Sequence, residues 1–239
     1  MWHFYPPHPQ INGFSDIIKS VQYSIHITDE AVEPMKKFIT FEGPEGSGKT
    51  SVIKEVEKAL LARGYDVLVT REPGGVVLSE RIRSLLLDFV DESMDARTEA
   101  MLFAASRRQH VVEVIRPALD VDQVVLCDRY IDSSLAYQGV ARGLGIEEVY
   151  ALNLFAIEDL IPDLTLFIDV KPEVGLSRVK SNQREMDRLD LETLEFHQKV
   201  YEGYLQLAEL EPERIKVIEG DQPMDQVSAD AIREILNEG

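Results

Sequence analysis

The feature that most constrains this chain is a glycine-rich loop composed of Gly43, Pro44, Glu45, Gly46, Ser47, Gly48, Lys49 and Thr50. It fits the pattern Gly-x-x-x-x-Gly-Lys-[Ser/Thr] of phosphate-binding loops. The apolar run Phe38–Phe41 precedes the loop, and a segment with helical periodicity follows it and stops at Gly64. Backbone N–H groups of such a loop, and the start of the helix behind it, point at an anion. The sequence therefore predicts a site for the phosphates of a nucleoside triphosphate.

Two side chains of the loop and one acidic residue further along predict how a magnesium ion is held. We expect Lys49 to neutralise the β- and γ-phosphates and the Thr50 hydroxyl to ligate Mg²⁺. Asp128 directly follows Val124–Cys127, a continuous apolar run that is typical of a strand buried on both faces. Asp128 is thus at the position of the acid that holds Mg²⁺ directly or through water. Cys127, inside the run, is expected to be a small apolar core residue.

Apolar, β-rich runs alternate with helical patterns along the rest of the chain. The runs are Phe38–Phe41, Val67–Thr70, Val124–Cys127, Leu164–Val170 and Ile215–Ile218. Helical periodicity is clearest at Leu78–Leu87, Ala96–Ala118 and Met224–Leu236. This alternation predicts an α/β, three-layer P-loop NTPase fold, with a central parallel sheet of about five strands flanked by helices. Ligands in such folds bind outside the carboxyl ends of the strands.

Charge and composition exclude several classes of function. The chain has 25 Lys and Arg against 43 Asp and Glu, a net charge of −18. This argues against binding a nucleic acid duplex, which needs a basic face, but a few arginines in one cleft still suit a small anion. The one cysteine excludes an intrachain disulfide framework. No apolar run approaches 18 residues and no secretory signal is visible, so we expect no membrane partner and a cytoplasmic location.

Residues 1–34 differ from the rest of the sequence. Pro6, Pro7 and Pro9 oppose regular structure near the start. We expect residues 1–34 to be an N-terminal extension, either poorly structured or the product of a mis-assigned start codon. Residues 35–239 are expected to form the nucleotide-binding domain, since they contain all of the motifs that carry chemistry.

Three further segments carry arginine beside small or aromatic residues: Thr70–Gly75, Leu102–Arg108 and Asp128–Gly139. Two of them begin at the carboxyl end of a predicted strand. Arginine there suits forked contacts with a phosphate. Phe103 and Arg107 lie four residues apart, on one helical face, where a ring and a guanidinium suit a nucleobase. Ordinary core packing is the alternative for Phe103.

Together these segments and the phosphate loop resemble the thymidylate kinase family, from about Lys36 to the C-terminus. The closest resemblance is the string from Asp128 to Gly139, and Thr-Arg-Glu-Pro-Gly-Gly resembles the bacterial members. The resemblance implies phosphoryl transfer from ATP, with Mg²⁺, to dTMP, and a homodimer. It implies that dTMP is bound by Arg71, Glu72, Arg83, Phe103, Arg107, Arg129, Ser133, Ser134, Tyr137 and Gln138.

The same resemblance implies individual roles. Phe103 stacks on thymine, and Arg107 bonds the carbonyl edge of the base. Ser134 and Gln138 reach the same base. Tyr137 crowds the sugar and so favours the deoxy form.

The phosphate side follows from the resemblance in the same way. Arg129, with Arg83 and Arg71, clamps the dTMP phosphate. Glu45 lies near the sugar and the metal, and Glu72-Pro73 is a cis peptide.

The resemblance also places a helical lid at about residues 174–190. Gly46 occupies the loop position where some members carry a catalytic arginine, so another part of the chain must supply that positive charge. Arg178 is expected to bind ATP. The expected catalytic residues are Lys49, Arg129, Arg184, Arg188 and Glu45. A solvated helix face is the alternative for the lid arginines.

Other functions remain open at this point. A kinase for another nucleoside monophosphate has the same motifs. A deoxynucleoside kinase needs a carboxylate as general base, for which Glu42 or Glu72 is available, but fewer arginines. A non-catalytic nucleotide-binding regulator is disfavoured by the presence of Lys49 and Asp128.

Overall fold

The computed structural model of the chain describes residues 37–88, 93–181 and 186–237. The expected N-terminal extension, residues 1–34, and the expected catalytic residue Arg184 lie outside the described residues.

The described residues form a parallel sheet of five strands. The strands are β1 (Phe38–Glu42), β2 (Val67–Arg71), β3 (Val124–Asp128), β4 (Leu164–Asp169) and β5 (Ile215–Glu219). Their spatial order is β2-β3-β1-β4-β5, and every neighbouring pair is parallel. The predicted sheet is confirmed, and each strand begins and ends within a residue of the predicted run. For β1, β3 and β4 the reason is that buried strands of a parallel sheet are nearly continuous apolar runs in the sequence.

Helices connect the strands and cover the sheet. They are α1 (Lys49–Ala62), α2 (Val77–Leu87), α3 (Ala96–His110), α4 (Arg116–Asp120), α5 (Ile131–Ser134), α6 (Ile146–Ile157), α7 (Pro172–Ser181), α8 (Leu194–Leu210) and α9 (Met224–Leu236). Two π-helical segments, Val111–Ile115 and Leu135–Ala141, continue α3 and α5. Helical periodicity indicated a helix but not these wider turns, since a π-helical segment covers only about one turn, which is too short to establish a period of its own.

The core lies between the sheet and the helices that pack on it. All of β1 is buried, and the four apolar residues of β3 are buried as well. Val52 and Val56 of α1 pack with Ala231 of α9 in one apolar cluster against the sheet. Cys127 is fully buried in β3, as predicted.

Side chains cap the helices where the sequence supplies them. The Asp95 carboxylate accepts hydrogen bonds from the backbone N–H groups of Arg97 and Thr98, and the Thr193 hydroxyl accepts one from Phe196. These contacts satisfy donors that the first turn of a helix leaves unpaired. Within the described part of the chain, no helix is long and apolar enough to cross a membrane.

Candidate active site

A cavity of about 700 Å³ opens at the carboxyl ends of the strands. Its wall is formed by the phosphate loop, by the segments after β2 and β3, and by α7. The register of the sheet explains this meeting, because Phe41 of β1 lies opposite Asp128 of β3, and Arg71 of β2 lies opposite the same residue. The phosphate loop and the arginine-bearing segments thus surround a single space.

The phosphate loop is held in its curved form by Lys49. Its buried Nζ donates to the carbonyl oxygens of Gly43 at 2.9 Å and of Pro44 at 3.1 Å. Burial lowers the pKa of Lys49 to about 8, as does the nearby Arg129, while Asp128 and Glu45 oppose the change. Because an ammonium binds charged oxygens more strongly than neutral ones, Lys49 can exchange these two carbonyl oxygens for the oxygens of a bound phosphate.

Thr50 and Asp128, which were predicted to hold the metal, lie together. The Thr50 hydroxyl donates to Asp128 Oδ2 at 3.1 Å. Among the described residues, no group of three or more His, Cys, Asp and Glu is arranged to hold a metal ion. A cation here would therefore take only some of its ligands from the protein.

Arg129 faces the phosphate loop from the end of β3. Its Nη2 donates to Glu45 Oε1 at 3.0 Å, and its Nη1 donates to the hydroxyls of Ser133 at 3.2 Å and Tyr204 at 3.0 Å. Its backbone φ of 70° is rare for a side chain of this size, and its N–H donates to Phe41. The guanidinium is thus fixed between the loop and the predicted acceptor side.

Glu45 connects the loop to that side. It accepts from the Tyr137 hydroxyl at 2.5 Å as well as from Arg129, and His197 Nδ1 lies 3.5 Å from its other oxygen. Burial would raise the pKa of Glu45, but Arg129, the nearby His197 and the hydrogen bond from Tyr137 hold it well below its usual range. The carboxylate is ionised at neutral pH and keeps Arg129 and Tyr137 together.

Arg71 and Arg83 complete an arginine wall, which we define as Arg71, Arg83 and Arg129. Both Arg71 and Arg83 donate to the carbonyl oxygen of Pro73, at 3.3 and 2.9 Å. Burial and the neighbouring Arg71 lower the pKa of Arg83. The Glu72-Pro73 peptide bond is cis, as expected. Three cations that share one wall of the cavity suit a dianionic ligand.

Phe103, Ser133, Ser134, Tyr137 and Gln138 line the cavity next to this wall. Phe103 is half-buried. The five predicted residues are therefore brought together around one cavity.

Arg107 does not lie on the cavity surface. It is 2% exposed, and it donates to Glu72 at 2.7 Å, to Ser134 at 2.9 Å and to the Tyr130 carbonyl at 2.7 Å, with a further bond to Asn153. The expected direct contact of Arg107 with a base stays a prediction. Most of its donors are engaged inside the protein, and it orients Ser134 and Glu72, which do line the cavity.

The described part of the predicted lid contains Arg178 and Arg188. Arg178 lines the cavity, and its Nη2 donates to Asp221 at 3.0 Å. Arg188 instead donates to the Leu86 carbonyl at 2.7 Å and to Glu99 at 2.6 Å. A buried carboxylate on α3 thus holds its guanidinium in this structure, and the catalytic role of Arg188 stays a prediction.

The start of α7 contacts the phosphate loop through two glycines. A Cβ on Gly46, whose φ is 72°, would lie 2.1 Å from the carbonyl oxygen of Gly175. A Cβ on Gly175 would lie 2.1 Å from the carbonyl oxygen of Glu45. Backbone therefore packs directly on backbone, and neither position has room for a side chain.

Sequence reasoning missed several polar residues behind the site. It offered Glu42 only as a general base, yet Glu42 is buried and accepts four hydrogen bonds, from Tyr130, Ser133 and Tyr204. Burial raises the pKa of Glu42 to about 6, and Asp132 contributes, against opposition from Arg129. Tyr204 had no local signal, because its helical spacing on α8 is that of an ordinary core residue.

Comparison with known proteins agrees with this geometry. A family model described as thymidylate kinase matches residues 41–231. The thymidylate kinase of Clostridium novyi (strain NT) is 58% identical over 191 residues, which cover 80% of this chain and 93% of that protein. The thymidylate kinase of Geobacillus thermodenitrificans (strain NG80-2) is 55% identical over 201 residues, which cover 84% of this chain and 89% of that protein.

A solved structure extends the comparison to the fold. The crystal structure of thymidylate kinase from Ehrlichia chaffeensis matches with a TM-score of 0.68 and 35% sequence identity, over 84% of this chain and 99% of that one. The segment matched by the family model includes both the phosphate loop from Gly43 onward and the arginine wall. Similarity of this extent, over both halves of the cavity, shows that the chain belongs to the thymidylate kinase family.

Proposed function

We propose that this protein transfers the γ-phosphoryl group of ATP to dTMP, giving ADP and dTDP, a step in dTTP synthesis. The observation that carries the proposal is the arginine wall facing the phosphate loop across one cavity. A triphosphate on the loop and a monophosphate on the wall meet in the middle. The membership in the thymidylate kinase family identifies the nucleotides.

The chemistry requires alignment and positive charge more than proton transfer. The acceptor is already a phosphate anion, so no general base is needed, and Glu42 is buried behind the site rather than on its surface. Two anions must approach in line, and the group being transferred carries spread negative charge. Lys49 contributes charge from the loop side and Arg129 from the acceptor side. Glu45 holds Arg129 in place, as the 3.0 Å ion pair supports.

Magnesium fits the residues at the loop. Mg²⁺ prefers oxygen ligands in octahedral geometry and usually keeps waters and substrate phosphates in its shell. The Thr50 hydroxyl and the Asp128 carboxylate, 3.1 Å apart at the cavity wall, are such oxygens. When bound, the ion neutralises charge on the β- and γ-phosphates. Glu45 is the third proposed ligand: Arg129 and Tyr137 occupy its Oε1, whereas its buried Oε2 has no hydrogen-bond partner among the described residues.

The acceptor pocket accounts for dTMP. Arg129, Arg83 and Arg71 take the phosphate, and Phe103 offers a ring face for thymine, since base–aromatic stacking suits any planar base. Tyr137, which bonds Glu45 beside the loop, takes the position at the sugar. Ser134 and Gln138 complete the base end. Glu72 and Ser133 line the same cavity, and the buried Arg107 donates to Glu72 and Ser134.

On the donor side, Arg178 is proposed to contact ATP from α7. Its position on the cavity wall and its pairing with Asp221, next to the lining residues Gly220 and Gln222, support this role. Arg184 remains the proposed lid arginine for the transferred group.

The homodimer is proposed on the surface formed by α2, α3 and α6. Large apolar side chains are exposed on each of these helices, among them Leu85, Met101 and Phe155, the last of which is 89% exposed. Exposed apolar surface of this kind marks protein–protein contacts. We also propose a cytoplasmic location, where ATP and dTMP are both available to the enzyme.

A turnover screen tests the function. Purified protein is supplied with ATP, Mg²⁺ and one of dTMP, dUMP, CMP or thymidine, and ADP release is followed by a coupled assay. We expect dTMP to be the preferred acceptor and thymidine to be inert, because thymidine carries no phosphate for the arginine wall. Preference for thymidine or CMP would refute the proposal, and gel filtration of the same sample tests the dimer.

A further inference from the structure

Glu99, in the first turn of α3, is a buried carboxylate that the proposed phosphoryl transfer does not use. Gln138 Nε2 donates to it at 2.8 Å, and Arg188 Nη2 donates at 2.6 Å. Arg142 adds two hydrogen bonds, from Nε at 3.2 Å and Nη2 at 3.1 Å. One carboxylate thus joins a residue of the proposed base pocket to two arginines outside it.

The charge state of Glu99 determines which end of Gln138 it can bind. Burial opposes ionisation, but the hydrogen bonds from Arg142, Gln138 and Arg188 lower the pKa of Glu99 overall. At neutral pH the group is therefore a carboxylate, which accepts hydrogen bonds and donates none. Gln138 must turn its NH₂ group towards Glu99, because the reversed carboxamide would place two acceptors against each other in a buried site.

Fixing the NH₂ group also fixes the carboxamide oxygen. Gln138 lines the same cavity as Phe103. Among the described residues, its NH₂ group donates to Glu99, whereas its oxygen receives no hydrogen bond from the protein. That oxygen remains available to a donor on a bound base.

Pyrimidines differ at the edge that such an oxygen reads. Thymine and uracil carry a proton on N3, next to the carbonyl at C4. Cytosine has no proton on N3, which is an acceptor, and it carries an amino group at C4. Opposite N3, a fixed acceptor receives a hydrogen bond from the first kind of base and meets a second acceptor in cytosine. A carboxamide that is free to reverse could serve either kind.

We propose that Glu99 is a positioning residue that fixes the Gln138 carboxamide and thereby selects a 4-oxopyrimidine nucleotide over a 4-aminopyrimidine nucleotide. The inference rests on the proposed function, since it requires the acceptor base to lie beside Phe103. Glu99 acts through Gln138 and does not touch the substrate. A purely structural role, as an anchor for Arg142 and Arg188, would leave the choice of base unchanged.

The test compares Glu99→Gln with wild type in the full-length enzyme. The amide at position 99 both donates and accepts, so it tolerates either orientation of Gln138. The measurements are kcat/KM for dTMP and for dCMP, the inhibition constant of dCMP against dTMP, and KM for ATP. We expect the dTMP-to-dCMP preference to fall at least about tenfold, within the range of one lost base-reading contact. KM for ATP should stay within about twofold, because Glu99 lies on the acceptor side.

Glu192→Gln is the matched control. Glu192 bonds Arg142 at 2.6 Å and has no bond to Gln138, so its loss removes the same charge from the same arginine without releasing the carboxamide. Its base preference should equal that of wild type. An unchanged preference in Glu99→Gln, or an equal fall in Glu192→Gln, overturns the proposal.

A double-mutant cycle isolates the coupling to Gln138. In a Gln138→Ala background, Glu99→Gln should cause no further fall in base preference, and a further fall of the same size overturns the mechanism. If Glu99→Gln does not fold, Gln138→Ala decides alone, since an unchanged preference in that variant excludes any selection through its carboxamide. Wild-type enzyme that does not turn over dTMP overturns the proposed function as well, whereas active wild type with an unaltered ratio overturns only the role of Glu99.

Discussion

The effect of Glu42 on the pH dependence of stability can be worked out, because opposing contributions to its pKa are visible in the structure. Its carboxylate accepts from the N–H groups of Tyr130 at 2.8 Å and Ser133 at 3.2 Å, and from the hydroxyls of Ser133 at 2.6 Å and Tyr204 at 2.8 Å. These bonds favour the charged form. Complete burial and the nearby Asp132 disfavour it, and they prevail, raising the pKa from 4.5 to about 6.

The raised pKa of Glu42 makes stability depend on pH. Below pH 4.5 the carboxyl group is protonated in both the folded and the unfolded chain and contributes no difference. Between pH 4.5 and 6 the unfolded chain ionises first, so the free energy of unfolding falls as pH rises. A difference of about 1.5 pKa units corresponds to about 2 kcal/mol at 1.36 kcal/mol per unit. Above pH 6 this loss is complete.

Glu42→Gln removes the ionisation and keeps the size of the side chain. We expect its free energy of unfolding, minus that of wild type, to rise by about 2 kcal/mol between pH 4.5 and pH 7. The measurement is urea unfolding of both proteins at half-unit pH steps. Glu55→Gln is the control, because Glu55 is exposed and its pair with Lys58 is long, at 3.7 Å. Its difference curve should be flat.

The pH dependence of this difference in unfolding free energy shows whether the pKa of Glu42 is raised or lowered in the folded protein. A difference that falls with rising pH means that the hydrogen bonds from Ser133 and Tyr204 outweigh burial, and that the pKa of Glu42 is lowered in the folded protein. A difference that does not vary with pH means that Glu42 ionises alike in both states. Either result refutes a raised pKa for Glu42 and the dominance of burial that explains it.

Three further substitutions test the site. Lys49→Ala removes the buried ammonium at the phosphates, so kcat with dTMP should fall by about 10²–10³ in an ADP-release assay, and near-normal turnover would exclude the proposed chemistry. Phe103→Ala should weaken dTMP binding by about 1–3 kcal/mol in calorimetry without affecting ATP, whereas equal losses for both nucleotides would identify a core residue. Tyr137→Leu opens the sugar position, so use of the ribonucleotide relative to dTMP should rise in steady-state kinetics; an unaltered ratio removes Tyr137 from that position.

Features encoded in short sequence segments could be predicted. β1, β3 and β4 are buried on both faces, and their apolar runs locate them to within a residue. Lys49 and Thr50 lie in one loop whose backbone form depends on its own glycines. Thr50 and Asp128 were each predicted to hold the metal ion, and the pairing of β1 with β3 brings their side chains together.

The burial of individual side chains and their hydrogen-bond partners in distant parts of the sequence could not be predicted. Spacing placed Phe103 and Arg107 on one face of α3, but only the fold shows that Phe103 reaches the cavity while Arg107 is buried with Glu72. For the same reason, spacing could not show that Arg188 pairs with Glu99. Glu99 and its partner Gln138 are 39 residues apart, and Glu42 and Tyr204 are 162 residues apart. A single sequence carries no signal that links carboxylates to such distant donors.

The contact between Gly46 and Gly175 constrains how this enzyme can evolve. The family's alternative of an arginine at position 46 is not reachable in this chain by one substitution, since its Cβ would overlap the backbone of α7. A catalytic arginine in the loop, in place of one in the lid, requires α7 to lie further from the loop. With α7 further away, a side chain at position 175 no longer meets the loop backbone, so glycine is not needed there. The two positions are therefore expected to covary among relatives, as a pair of glycines or as a pair that has lost both.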